Sequence, residues 1–242
     1  MSKLTLAKTN DILTSEKPKY AVIMIHGIAS NSASYDKAID YLTKEKKLED
    51  LRIITFDLLG AGKSLTSDEL NYDYKDHLTA LENAISELEL EIPIILVGHS
   101  MGTFIATRYA SKHKKDIKKL ILISPPIYTK EDLENPAMAV AIDAFSKAVS
   151  ARDPEISKTK AFNNEIKYIV LNPDNYKYLA EVDVPTTLVY GELDRIIASF
   201  NLPKILKINK NLSAEKAAGG HGVTIDKLPK LRKIIAGVLA EE

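Results

Sequence analysis

The sequence predicts an α/β protein with a mostly parallel sheet and helices on both of its faces. Short apolar runs alternate with segments of helical periodicity along most of the chain. The runs are almost continuous Ile, Leu and Val, which is typical of parallel strands that are buried on both sides. Right-handed crossovers would bring the carboxyl ends of these strands to one edge of the sheet, where ligands bind in such folds.

The elements follow one another in the order that this architecture needs. Apolar runs predict strands at residues 20–25, 52–56, 92–97, 119–123 and 186–190. Apolar residues recur at helical spacing in residues 34–46, 72–90, 103–113, 199–208 and 225–239. The alternation fails from Pro125 to Val184, a segment with helical patterns and no clear strand. We interpret residues 125–184 as a helical lid inserted between two strands, with residues 1–124 and 185–242 forming the core.

Composition excludes several classes of protein. The 242 residues include 33 Lys and Arg, 33 Asp and Glu, and no cysteine. A net charge of zero gives no general attraction to nucleic acid or to an anionic membrane. The absence of cysteine excludes disulfides, thiol catalysis and cysteine metal sites. The first ten residues lack the apolar stretch of a signal peptide, and no run approaches the ~18 apolar residues of a membrane span. We therefore expect a soluble cytoplasmic protein, for which a homodimer stays open.

The most specific motif is Gly98–Gly102, which reads Gly-His-Ser-Met-Gly and fits G-x-S-x-G. It lies between a predicted strand and a predicted helix, which is the context that this motif requires. Such a turn holds Ser100 in a strained backbone conformation and lifts its hydroxyl above the sheet edge. Gly98 and Gly102 are expected where the strand and the helix pass too close for a Cβ. A serine on this kind of turn is typically a nucleophile.

A serine nucleophile needs a base, usually a histidine whose tautomer is held by a carboxylate. Among the five histidines, His221 lies in a glycine-rich loop before the last predicted helix and can present its imidazole at the active edge. The carboxylate should come from a loop between Ser100 and that histidine. Asp194, just beyond the end of a strand, is favoured over Glu192, which lies at the start of the same turn. We therefore predict Ser100, Asp194 and His221 as the catalytic residues.

Backbone N–H groups must face the oxygen on which negative charge develops. Met101 follows the candidate nucleophile at the start of its helix, and Ile28 follows the first parallel strand. We predict that these two amides form an oxyanion hole. The substrate should lie between the sheet edge and the lid, and its candidate contacts are Gly27, His99, Met138 and Phe145. Local packing explains His99 equally well, and Met138 and Phe145 also suit the interior of the lid. This chemistry needs neither a metal nor an organic cofactor.

Taken together, these motifs resemble the α/β-hydrolase superfamily. Ile25–Gly27 resembles the oxyanion loop of that family, and Asp57–Ser64 resembles its D-x-x-G-x-G-x-S turn. Gly191–Asp194 resembles its acid loop, and Gly220–Gly222 resembles its histidine loop. The order Ser, Asp, His along the chain is also the order of the family. The resemblance implies an eight-stranded, mostly parallel sheet, a small helical cap after the sixth strand, and acyl-serine chemistry.

These observations predict a serine hydrolase that acts on a small, largely apolar carboxylic ester. A carbon–carbon bond hydrolase and a monoacylglycerol lipase would use the same three residues, so both stay open. A ligand-binding protein of this fold without catalysis is the alternative of another class, and a peptidase is disfavoured because no acidic cluster stands out in the lid.

Gly62-Lys63-Ser64 resembles the end of a Walker A motif, but Asp57 occupies the required glycine position. We expect His26 and Asp57 to brace the nearby loops through hydrogen bonds.

Overall fold

The structure is a computed structural model that describes residues 3–44, 48, 50–194, 201–221 and 228–240. Its strands are β1 (Ala7–Leu13), β2 (Tyr20–Ile25), β3 (Leu51–Asp57), β4 (Ile94–His99), β5 (Ile117–Ile123), β6 (Thr186–Gly191) and β7 (Leu212–Ala217). They form one sheet in the order β1-β3-β2-β4-β5-β6-β7. β1 runs antiparallel to β3, and the other neighbouring pairs are parallel.

The helices of the described residues are α1 (Asp36–Lys44), α2 (Tyr74–Ser86), α3 (Met101–Lys112), α4 (Lys130–Glu134), α5 (Pro136–Arg152), α6 (Lys160–Glu165), α7 (Asp174–Glu181), α8 (Leu202–Ile208) and α9 (Leu228–Ala240). Short 3-10 turns lie at Ser32–Tyr35 and Ile156–Lys158, and a π-helical turn at Ile166–Val170 follows α6. The parts of three predicted helices at residues 45–46, 199–200 and 225–227 lie outside the described residues.

Two hydrophobic clusters lie on opposite faces of the sheet. Along β2, Ile23 and Ile25 belong to the cluster that contains the apolar faces of α2, α3 and α8. Val22 and Met24 belong to the other cluster, which contains residues of α1 and α9. Side chains alternate between the faces of a strand, so a strand that is covered on both faces reads as one continuous apolar run. This arrangement confirms the predicted α/β architecture.

The five predicted strands are confirmed, whereas β1 and β7 were not predicted. Both are edge strands of the sheet, and they read Ala-Lys-Thr-Asn-Asp-Ile-Leu and Leu-Ser-Ala-Glu-Lys-Ala. An edge strand can keep one face in water, so its polar residues do not produce the apolar run by which the other strands were found.

The expected count of eight strands is wrong for the described residues, which form seven. Residues 14–19 lead directly from β1 into β2, and the amides of Thr14 and Lys19 donate to the carbonyls of Leu51 and Asp50. This short connection leaves no further strand between β1 and β2. The segment interpreted as a lid therefore follows the fifth strand of the sheet and not the sixth.

That segment, residues 125–184, is called the insert from here on. It contains α4, α5, α6 and α7, and all of its residues are described, none of them in a strand. It leaves the sheet after β5 and returns at β6, which places it beside the carboxyl ends of the parallel strands. The helical character predicted for this segment is therefore observed, and its action as a lid stays a prediction.

Candidate active site

The G-x-S-x-G motif forms a sharp turn between β4 and α3. β4 ends at His99 and α3 begins at Met101, which leaves Ser100 alone between them. Ser100 has φ 50° and ψ −120°, a backbone conformation that residues with a side chain rarely adopt. Its N–H donates to the carbonyl of Ile123 at 2.9 Å, and its carbonyl accepts from the amide of Thr103 at 3.0 Å. The predicted strain is therefore present, and neighbouring backbone holds it in place.

The two glycines of the motif are required by close packing. A Cβ at Gly98 would lie 2.7 Å from the carbonyl oxygen of Gly102. A Cβ at Gly102 would lie 2.4 Å from the carbonyl oxygen of His26. Neither distance leaves room for a carbon atom, and both neighbours are backbone that cannot easily move. The expectation that strand and helix pass too close here is confirmed.

The fold brings Ser100, His221 and Asp194 into one chain of hydrogen bonds. Nε2 of His221 lies 2.8 Å from Oγ of Ser100, and Nδ1 lies 2.9 Å from Oδ2 of Asp194. A carboxylate can only accept, so it selects the tautomer with the proton on Nδ1 and leaves Nε2 to accept from the serine hydroxyl. Ser100 and Asp194 are buried, and the side chain of His221 is 16% exposed.

The acid loop and the histidine loop are tied together through their backbones. The amide of Leu193 donates to the carbonyl of Gly219 at 3.0 Å. Glu192, the alternative carboxylate, is half-exposed and pairs instead with the ammonium of Lys216 at 2.5 Å. Asp194 is therefore the carboxylate that reaches His221. Gly222, part of the predicted histidine loop, lies outside the described residues.

The two amides predicted for the oxyanion hole carry no competing hydrogen bond within the described part of the chain. Met101 is the first residue of α3, where unpaired N–H groups and the helix dipole favour negative charge. Ile28 lies in the loop after β2. Gly27, just before it, approaches the motif closely, because a Cβ there would lie 3.0 Å from Cβ of Ser100. Both amides are thus available to an anionic oxygen near the serine.

Two buried polar side chains brace the loop after β2, as the sequence predicts. Nδ1–H of His26 donates to the carbonyl of Gly27 at 2.8 Å, and its Nε2 accepts from the amide of Leu58 at 2.8 Å. Burial lowers the pKa of His26 to about 4, which keeps the ring neutral at pH 7 with one donor and one acceptor.

Asp57 supports the same loop from β3. Its two carboxylate oxygens accept from the amides of Ser32 and Lys63, each at 2.8 Å. Burial alone would raise the pKa of Asp57, but these hydrogen bonds outweigh burial and hold the pKa below its usual range. The carboxylate therefore stays charged and keeps both backbone segments in place.

His99 contacts the histidine loop directly. Its ring centroid lies 5.3 Å from that of His221, and its Nε2 lies 3.3 Å from the carbonyl oxygen of His221. Burial, followed by the nearby His221 ring, lowers the pKa of His99 to about 3, so the ring is neutral and its Nε2–H donates to that carbonyl. This placement fits a packing and positioning role, and a substrate contact at His99 stays a prediction.

A cavity of about 200 Å³ opens beside the serine turn. The loop after β2 lines it with Gly27, the start of α3 with Met101, and the insert with Phe162 and Glu165. A substrate contact at Gly27 stays a prediction. Met138 and Phe145, the candidate contacts on α5, do not line this cavity. Phe145 packs behind its wall, with its ring centroid 6.4 Å from that of Phe162.

Sequence reasoning missed Glu165 and its partner His77. Nε2 of His77, on α2, lies 3.2 Å from Oε1 of Glu165, on α6, and both side chains are buried. A signal was present in the insert, because Glu165 shares a helical stripe with the apolar residues Ala161 and Ile169. A carboxylate at such a core position is rare and points to a specific role.

Among the described residues, no group of three or more His, Asp or Glu side chains could hold a metal ion. The same part of the chain contains no helix that is both long enough and apolar enough to cross a bilayer.

Comparison with known proteins agrees with the fold described above. The family model for the alpha/beta hydrolase fold matches residues 20–155. The AB hydrolase superfamily protein YisY of Bacillus subtilis is 30% identical over 250 residues, which cover 89% of this chain and 90% of YisY. The probable lysophospholipase BODYGUARD 1 of Arabidopsis thaliana is 34% identical over 117 residues. That match covers 48% of this chain but only 25% of BODYGUARD 1.

A solved structure shows the same architecture. The esterase EaEST from Exiguobacterium antarcticum superposes with a TM-score of 0.72, covering 96% of this chain and 95% of the esterase. At 20% identity this likeness shows the fold alone. The family model spans more than half of the chain, and YisY matches most of it. The protein belongs to the α/β-hydrolase superfamily.

Proposed function

We propose that this protein is a serine hydrolase that cleaves small carboxylic esters through an acyl-serine intermediate. The observation that carries the proposal is the continuous hydrogen-bond chain from Ser100 through His221 to Asp194. The name of a relative supports it, since BODYGUARD 1 is described as a probable lysophospholipase. No metal or organic cofactor enters the proposed reaction.

In the first half-reaction, Oγ of Ser100 attacks the ester carbonyl while Nε2 of His221 takes the hydroxyl proton. The electron pair of the C=O bond moves to oxygen, and the amides of Ile28 and Met101 stabilise the resulting oxyanion. Asp194 orients the imidazole and stabilises its charged form. The intermediate then collapses, the bond to the leaving alcohol breaks, and His221 protonates that alcohol.

In the second half-reaction, water replaces the alcohol. His221 takes a proton from the water as its oxygen bonds to the acyl carbon, and a second oxyanion forms at the same two amides. Collapse breaks the bond to Oγ, Ser100 regains its proton from His221, and the carboxylic acid leaves. Atoms and charge therefore balance with water as the single co-reactant.

We propose that the cavity beside the serine turn holds part of the substrate and restricts its size. Its volume of about 200 Å³ is below the roughly 300–1,000 Å³ of pockets that hold drug-sized ligands. Gly27 and Phe162 line it, and Phe145 supports its wall. We propose that short acyl or alcohol groups occupy this space and that the insert acts as the lid, with Met138 on its α5 helix.

Replacement of Ser100 by alanine tests the proposal. We expect the kcat of Ser100→Ala for p-nitrophenyl butyrate to fall by a factor on the order of 10⁶, because the nucleophile is lost. A matched control is Ser111→Ala, near the other end of α3, where the hydroxyl bonds to the carbonyl of Thr107. A fluorophosphonate probe should label the parent protein and Ser111→Ala but not Ser100→Ala. Undiminished hydrolysis by purified Ser100→Ala would overturn the proposal.

A further inference from the structure

The cavity beside the serine turn contains a buried carboxyl group that the proposed mechanism does not use. Glu165 is 6% exposed and lies at the end of α6, where it lines the cavity together with Gly27 and Met101. Those two neighbours belong to the proposed oxyanion hole and to the loop beside it. A group bound at Glu165 would therefore share this cavity with the amide of Met101, which is proposed to hold the carbonyl oxygen of the substrate.

Glu165 has a single polar partner among the described residues. Oε1 lies 3.2 Å from Nε2 of His77, a fully buried residue on α2, but neither ring nitrogen of His77 has the geometry of a hydrogen bond within the described residues. A carboxyl group has two oxygens with about four lone-pair positions, and burying it with few hydrogen bonds is unfavourable. Burial accordingly raises the pKa of Glu165, while His77 opposes that rise. The carboxyl therefore has unused hydrogen-bonding capacity.

Other polar side chains of the cavity are already engaged. Thr159 accepts from the amide of Phe162 through Oγ1 and donates to the carbonyl of Ile156. Asn31 accepts from the amide of Ala33. Both ring nitrogens of His26 are engaged, and the hydroxyl of Ser30 lies 3.5 Å from the carbonyl oxygen of Asn31. The other lining residues, such as Phe162 and Gly27, are apolar or offer only backbone groups. Glu165 is thus the strongest hydrogen-bonding group that the cavity offers to a ligand.

This inference rests on the proposed function. We propose that Glu165, which lies beside His77, is a specificity-determining residue that hydrogen-bonds a hydroxyl group of the ester substrate. The preferred substrate would then be a small hydroxylated ester and not the largely apolar ester that the sequence suggested. A hydroxyl can both donate and accept, so it fits the carboxyl in either protonation state. An ammonium group can only donate and would need the ionised carboxylate, which burial disfavours.

Two matched pairs of esters test this assignment and locate the hydroxyl. Methyl butyrate against methyl 3-hydroxybutyrate places it on the acyl part, and propyl butyrate against glyceryl 1-monobutyrate places hydroxyls on the alcohol part. We expect kcat/KM to favour the hydroxylated member of at least one pair by roughly 5- to 100-fold, because the plain ester would leave a buried carboxyl group without a hydrogen-bond partner. Turnover is measured by titrating the released acid.

Two variants connect the preference to the residue. Glu165→Met should abolish the preference, and Glu165→Gln, which keeps one acceptor oxygen, should retain part of it. Glu155→Gln is the matched control, because Glu155 is an exposed residue of the insert that pairs with Lys158 at 3.0 Å. Its substrate ratio should equal that of the parent protein. Thermal unfolding of each variant shows whether it is folded, and Glu165→Gln carries the test if Glu165→Met is not.

The outcomes separate this inference from the proposed function. If the parent protein hydrolyses the esters without favouring a hydroxylated member, or if both Glu165 variants keep the full preference, the role of Glu165 is wrong while the proposed function stands. A stronger preference for methyl 3-aminobutyrate would replace the hydroxyl by an ammonium and overturn the assignment. Absence of any turnover, with Ser100 unlabelled by a fluorophosphonate, would overturn the proposed function itself.

Discussion

The helix that follows Ser100 and the long helix of the insert differ sharply in burial. Nine of the twelve residues of α3 are buried, whereas Val149 is the one buried residue among the seventeen of α5. α3 packs against the sheet, and α5 leaves apolar side chains such as Val140 largely exposed. The helix that follows the candidate nucleophile is therefore close-packed, and the longest helix of the insert is not.

The insert contacts the core through apolar packing and through polar interactions, and Ala161, Ile169 and Leu179 belong to the same buried cluster as α2 and α3. Arg152, at the end of α5, donates to the carbonyl of Ala29 in the loop after β2 at 2.5 Å. Glu165 meets His77 of α2 at 3.2 Å. A substitution in a close-packed core disturbs its neighbours and lowers stability, whereas a substitution on an exposed helix costs little stability. The comparison suggests that the core determines the chemistry and that the insert determines which substrate is accepted.

Among the tests of this comparison, the largest expected effect is a loss of kcat on a substitution in the core. Asp194→Asn should lower kcat by about 10⁴-fold, since an amide no longer selects the productive tautomer of His221 or stabilises its charged form. The loss should be equal for the hydroxylated and plain members of each ester pair, because Asp194 acts on a step that they share. Steady-state kinetics on both pairs measures it. A change in the substrate ratio would show that core and insert do not divide their roles in this way.

Packing provides the second test of the comparison. Ile105→Ala, in the middle of α3 with its side chain fully buried, should cost roughly 2–5 kcal/mol of unfolding free energy. Val140→Ala on α5 removes a side chain that is 69% exposed and should change stability by at most about 0.5 kcal/mol. Urea unfolding of both variants measures the two values. Similar losses would mean that α5 is packed against something in solution.

Burial of imidazole rings in the core should have a smaller effect, which is on the pH dependence of the unfolding free energy. The pKa of His26 falls from 6.5 to about 4 on burial, so the unfolded chain binds more protons between these values. Its contribution is therefore fully present above pH 6.5 and is lost as the pH falls towards 4, amounting to about 3 kcal/mol at 1.36 kcal/mol per pKa unit. His99, with its pKa lowered to about 3, adds to the same trend.

Unfolding free energies at pH 7 and pH 4.5 measure this dependence. His26→Gln should be less stable at pH 7 but should show a shallower loss on acidification. His113→Gln is the control, because His113 is partly exposed and pairs with Glu82 at 3.1 Å. An acid dependence that is unchanged by His26→Gln would show that His26 is not the group that titrates.

The positions that a local pattern marks were predicted well from the sequence. β2 and β4 were found because strands covered on both faces are apolar throughout. Ser100 was found because the turn requires glycines at 98 and 102, where no Cβ fits. Asp194 and His221 were predicted from their places in loops after strands, and the fold brings both within hydrogen-bonding distance of the next group in the chain.

Other features depend on contacts between residues far apart in the chain. Edge position makes β1 and β7 polar, and the short connection between β1 and β2 gives seven strands where eight were expected. Glu165 and His77 are separated by 87 intervening residues, and no spacing rule joins them. The sequence by itself therefore determined the α/β architecture and the candidate catalytic residues, because periodicity and turn chemistry are local. The strand count and the polar lining of the cavity were decided by tertiary structure, because burial and hydrogen-bond partners exist only after the distant segments meet.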